Sequence, residues 1–176
     1  MRRPDPSEYA EYYGLYVNQV PEGDIFELLT TGVEQTVRTL GNLPADWESF
    51  AYETGKWTLR EIVGHLLDVE RVFSYRAVSI ARRDPAALPG MDQDFWAKSS
   101  KASARPLADQ LAELEIVRSG TRALFESFDD AMWDQRGVAS DCEFSVRAFP
   151  YIIVGHEVHH LKVAEERYLG PLRSRA

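Results

Sequence analysis

Gly155-His156-Glu157-Val158-His159-His160 holds three of the chain's four histidines, inside a segment whose apolar spacing predicts one long helix. Residues four apart on a helix lie roughly 40° apart around its axis, with Cβ atoms about 5–6 Å from each other. His156 and His160 can therefore converge on one cation, which takes neutral imidazole nitrogens at about 2.0–2.1 Å. In helical projection they share a face with Phe149, Ile152, Ile153 and Val163, so they point inward. His159 falls toward the edge of that face. Tyr151, Val154, Val158 and Leu161 form a second apolar stripe on roughly the opposite side, which needs a cover of its own: another subunit or the N-terminal lead-in.

The same stretch contains H-E-x-x-H, the pattern of zinc peptidases in which the Glu is the general base. The surroundings argue against that chemistry. No further histidine follows His160, Glu165 and Glu166 lie on the same helix, and no sheet is expected that could hold an extended peptide. The remaining histidine, His65, stands on the shoulder of an earlier apolar stripe. It is the one imidazole left to complete a site begun by His156 and His160, and a peptidase site would not require it.

Outward from these residues the chain reads as helices joined by polar connections. Asp24 is placed to cap a helix to about Leu43, with Ile25, Leu28, Leu29, Val33, Val37 and Leu40 at helical spacing. Thr58 and Glu61 make a capping box for a helix to about Arg83, whose stripe is Leu59, Ile62, Leu66, Val69, Phe73, Ala77 and Ile80. Pro106 opens a helix to about Phe128. Ser145 is read as the cap of the final helix, which Gly170-Pro171 is expected to stop after Leu169. The connection over residues 84–105 is long enough to cover the bundle mouth, or to be a surface loop anchored by Phe95 and Trp96. No strand of useful length is predicted. Such a pattern is all-α, a four-helix bundle, and bundles build metal sites from inward residues on facing helices.

The 176 residues fit one domain: an aromatic lead-in over residues 1–23, with Tyr9, Tyr12, Tyr13 and Tyr16, packing on a bundle over residues 24–176. A net charge of −8 disfavours nucleic-acid binding, and the small basic pair Arg173 and Arg175 does not reverse it. Cys142 is the only cysteine, so no internal disulfide forms. No signal peptide or membrane span is read, and a cytoplasmic protein without membrane partners is the expectation.

Two segments carry a resemblance. Lys56-Trp57-Thr58-Leu59-Arg60-Glu61-Ile62-Val63-Gly64-His65-Leu66-Leu67-Asp68-Val69-Glu70 and Gly155-His156-Glu157-Val158-His159-His160-Leu161 resemble signatures of the DinB/YfiT-like metal-binding superfamily. Arg76, and Pro89 through Asp92-Gln93-Asp94-Phe95-Trp96-Ala97, resemble its loop after the second helix. The likeness runs over about residues 24–169 and leaves residues 1–23 outside.

The resemblance implies an up-down-down-up bundle, often a homodimer, with a divalent metal on His65, His156 and His160. His159 would stand outside the ligand set and, with Arg76 and Asp94, would make contacts around it or to substrate, unless Arg76 and Asp94 form an ion pair between helix and loop. Zinc or nickel is the expected ion, with iron and manganese also compatible with imidazoles. Relatives of that superfamily include thiol S-transferases using bacillithiol or mycothiol, and others described as metal-dependent hydrolases. The implied activity is transfer of a low-molecular-weight thiol, the cosubstrate, to a small electrophilic molecule, because a divalent ion ionises a coordinating thiol without any protein cysteine. A hydrolase using metal-bound water is the alternative, and a non-enzymatic dimeric metal-binding stress protein the third.

Overall fold

The computed structural model describes residues 1–174, so that Arg175 lies outside the described residues. Four long helices form the body: α1 (Ile25–Leu40), α2 (Leu59–Ala81), α3 (Leu107–Glu126) and α4 (Ala148–Val163). Their starts follow from local chemistry. The Asp24 carboxylate accepts from the Phe26 and Glu27 N–H groups at 2.9 and 3.2 Å. Thr58 and Glu61 satisfy each other's backbone donors at 3.2 and 2.7 Å. All seven residues of the predicted α2 stripe are buried.

Side-chain pairings give the helix directions. Glu70 meets Arg118 and Ser74 meets Thr121, so α2 and α3 run parallel. His65 meets His156 while Phe73 stacks near Phe149, so α2 and α4 run antiparallel. With α1 packed against α3 and α4, the bundle is up-down-down-up. Parallel neighbours need a long crossover, and residues 82–106 supply it.

That crossover holds a short helix, Gln93–Ser99, capped by Asp92. Phe95 and Trp96 do not anchor it: they are 66% and 40% exposed, while Leu88, Ala97 and Ala102 are the buried residues.

Two readings of the segment before α4 are corrected. Residues 136–145 form an antiparallel hairpin, β1 (Arg136–Ala139) and β2 (Cys142–Ser145), with Arg136 opposite Ser145. Four-residue strands are too short to show an alternation, and the Ser140-Asp141 turn, with φ of 52° and 60°, lacks the glycine that usually marks such turns. Ser145 is therefore a strand residue rather than a cap, and α4 begins after Arg147.

The other end of α4 also differs from the expectation. Gly170-Pro171 does not stop the helix. The path widens into a π-helical stretch, Ala164–Leu169, in which the Gly170 N–H donates to Glu165 O, and continues as Gly170–Arg173. The wider turn accommodates the donorless proline.

The N-terminal residues cover the second stripe of α4. A short helix, Gly14–Val17, lies on it, and Tyr16, Val17 and Val20 share a buried cluster with Tyr151 and Val154. Gly155 makes this possible, since a Cβ there would lie 2.1 Å from Tyr16 O. Arg3 ties the segment by donating to Val17 O and Val20 O at 2.8 Å each, and Arg147 donates to Glu8 at 3.2 Å. Among the described residues, no helix is long and apolar enough to cross a membrane.

Candidate metal centre

His65 projects from α2 into the bundle, and His156 and His160 meet it from adjacent turns of α4. The Nε2 atoms of His65 and His160 lie 3.0 and 3.1 Å from Nε2 of His156. All three residues offer ligand nitrogens within 4.8 Å of one another. Burial pushes the His65 imidazole down to about 4 and His160 to about 3; His156, fully enclosed and beside both other rings, is held well below its usual value. At neutral pH the three rings are uncharged.

That donor set fits a metal ion. A neutral imidazole Nε2 either donates or accepts, so His156 cannot satisfy two facing nitrogens on equal terms through protons. One cation answers all the lone pairs. With bonds of about 2.0–2.1 Å, two nitrogens on one ion stand at most about 4.2 Å apart, and the separations found here fall within that reach.

Aromatic rings wall the cluster. Trp57 lies 4.7 Å from His65 between ring centres and stacks at 6.4 Å on His160. Tyr16 meets His156 edge-on at 5.1 Å and His159 at 5.5 Å. His159 is half-buried and outside the three-nitrogen group.

Besides a void of about 10 Å³ at His156, two larger cavities reach the imidazoles. One, of about 210 Å³, is bounded by Tyr12, Tyr13, Tyr16, Arg76 and Ser140 and touches His65 and His156. The other, of about 420 Å³, is bounded by Tyr52, Trp57 and Asp94 and touches His159 and His160. Arg76 and Asp94 thus line different cavities, and the ion pair weighed between them is not formed.

The sequence model described as the DinB superfamily matches residues 28–164, which include every histidine above. The chain belongs to the DinB superfamily. This DinB chain is 29% identical, over 156 residues, to an Oceanobacillus iheyensis protein named "Putative metal-dependent hydrolase", with 81% of this chain and 87% of that protein aligned. Its fold matches that of YfiT from Bacillus subtilis, described as "a probable metal-dependent hydrolase with an unusual four-helix bundle topology". The TM-score is 0.70, over 93% of this chain and 92% of that one, at 16% identity, so that likeness concerns the fold.

The Glu of H-E-x-x-H is turned away from the imidazoles. Glu157 is buried, accepts from Thr36 at 2.8 Å and pairs with Arg118 at 2.8 Å. It is unavailable as a peptidase base. Arg118 also pairs with Glu70 through two bonds of 2.8 and 2.9 Å. Sequence reasoning missed this network, although Leu107, Leu111, Leu114, Arg118, Thr121 and Phe125 follow helical spacing. A charge within such a stripe was the available signal. Trp57 was missed as well, with only its nearness to the capping box to mark it.

Proposed function

We propose that this protein is a divalent-metal-dependent enzyme that joins a low-molecular-weight thiol to a small electrophile, with His65, His156 and His160 holding the ion. The observation that carries the reading is the meeting of three uncharged, enclosed imidazoles at 3.0–3.1 Å beside a cavity. Zinc, nickel, iron and manganese all suit that donor set. When bound, such an ion would supply Lewis acidity, bringing a thiol or water to its anionic form near neutral pH.

The residues around it favour the thiol. Among the described residues, no carboxylate lines the cavity at His65 and His156, so water there would have no protein base. The single cysteine, Cys142, sits on β2 and lines neither cavity, so the thiol must come from outside. Tyr12, Tyr13 and Tyr16 give the cavity at His65 and His156 an aromatic wall. Hydrolysis is the second reading, supported by the relatives' names and by Asp94, a carboxylate in the cavity at His160.

The test uses metal-replete protein with a chloronitroaromatic acceptor and the major bacterial thiols, beside ester and amide substrates without thiol. Thiol-dependent conjugation that disappears in His65→Ala supports the transferase. Cleavage without thiol supports the hydrolase, and neither activity leaves a metal-binding protein.

A further inference from the structure

Three arginines are buried among the described residues. Arg118 meets two carboxylates, Glu70 and Glu157, and Arg147 meets Glu8 and Asp134. Arg76, 3% exposed, meets no carboxylate among the described residues. Its Nη2 donates to Pro89 O and to Ser140 Oγ, both at 2.8 Å, and its Cζ stands 5.6 Å over the Phe73 ring. These acceptors are neutral. The neighbouring Tyr13 phenol is held above its usual value by burial, so it adds no charge. A guanidinium removed from water is costly unless an anion answers it. Here the fold provides a cavity where the anion would be.

We propose that this cavity binds the carboxylate of a small, flat, aromatic or unsaturated molecule, with Arg76 as its seat and its other end beside His65 and His156. The planar fork of arginine suits a carboxylate, and the edges and faces of Tyr13, Tyr16 and Phe73 suit a flat body. The volume of about 210 Å³ lies below the range of about 300–1,000 Å³ for drug-sized ligands. The occupant is correspondingly small.

The placement along α2 sets its orientation. His65 and Arg76 are three turns apart on nearly the same face, about 16 Å along the axis. Long helical side chains lean toward the N-terminus, and Arg76 does so, lying over Phe73 one turn back. The carboxylate is therefore held away from the imidazoles, leaving the far end of the molecule to face them. That the occupant is the substrate rests on the function proposed above; the seat itself does not.

The test is calorimetric titration of the full chain with trans-cinnamate and with trans-cinnamamide, in chelator-treated and in metal-replete protein. Cinnamate is expected to bind at least about tenfold more tightly than the amide in both forms. Arg76→Gln should bring the two within about twofold, whereas Arg76→Lys and Ser140→Ala should keep the preference. As a variant-free readout, cinnamate but not cinnamamide should slow phenylglyoxal modification of Arg76, mapped by mass spectrometry. Equal affinities in the unaltered protein, a preference surviving Arg76→Gln, or no protection of Arg76 overturns the proposal. Failure of metal to bind, with the preference intact in chelated protein, refutes the function reading alone. Loss of the preference with metal bound refutes the seat alone.

Discussion

Arg118 donates through Nη1 to Oε2 of Glu157 at 2.8 Å, in the residue directly after His156. The same guanidinium grips Glu70 on α2 and donates to Leu29 O on α1 at 2.6 Å. One side chain on α3 thus joins all three other helices. Replacing it by a similar apolar volume, Arg118→Met, strands two buried carboxylates, a loss that costs about 3–5 kcal/mol for a buried pair. Urea denaturation should show a markedly lower midpoint, and a midpoint within experimental error of the unaltered protein would refute the role.

His65→Ala removes one of three nitrogens and the only one on α2. Metal analysis should fall from about one divalent ion per chain to near zero, with helical circular dichroism preserved. His159→Ala, outside the group, should keep its ion. Equal metal content in the two variants would count against the three-nitrogen site.

The metal-free protein should lose stability as pH falls from about 6.5 toward 4. Burial lowers His65 to about 4 in the folded state, while the unfolded imidazole titrates at 6.5. Between these values the unfolded chain binds the extra proton, so acid favours unfolding. Each such imidazole contributes up to about 1.4 kcal/mol per pH unit across that window. Its stabilising contribution is complete above 6.5. Urea midpoints at several pH values should rise toward neutrality, and His65→Ala should rise less steeply. A flat profile would exclude the buried neutral cluster.

Gly155→Ala places a methyl group 2.1 Å from Tyr16 O unless the backbone shifts. Overpacking of this kind costs about 1–3 kcal/mol. The N-terminal residues should lift from α4, and limited proteolysis should cut within residues 1–23 earlier than in the unaltered protein. Unchanged cleavage would show that the close approach carries no strain.

The helices were legible because their stripes repeat over several turns and their caps are explicit, as at Asp24 and Thr58. The convergence of His65 with His156 and His160 was less so. Periodicity puts each imidazole on an inward face but does not say which faces meet; only the scarcity of histidine and the family resemblance point to the trio. The hairpin stayed hidden because its strands are four residues each and its turn carries Ser140-Asp141. The partners of Arg76 were also out of reach, since they come from the crossover and the hairpin turn, whose placement depends on tertiary contacts.

The ion network centred on Arg118 also fixes the axial register of the helices. Sliding a helix by one residue moves it about 1.5 Å, enough to pull the guanidinium off carboxylates on two neighbours. Re-aiming the imidazoles by such a slide would forfeit those buried ion pairs. The cavity walls are free of that restraint: Tyr12, Tyr13 and Tyr16 of the lead-in and Met91, Gln93 and Asp94 of the crossover can be exchanged without shifting any of the four helices along its axis.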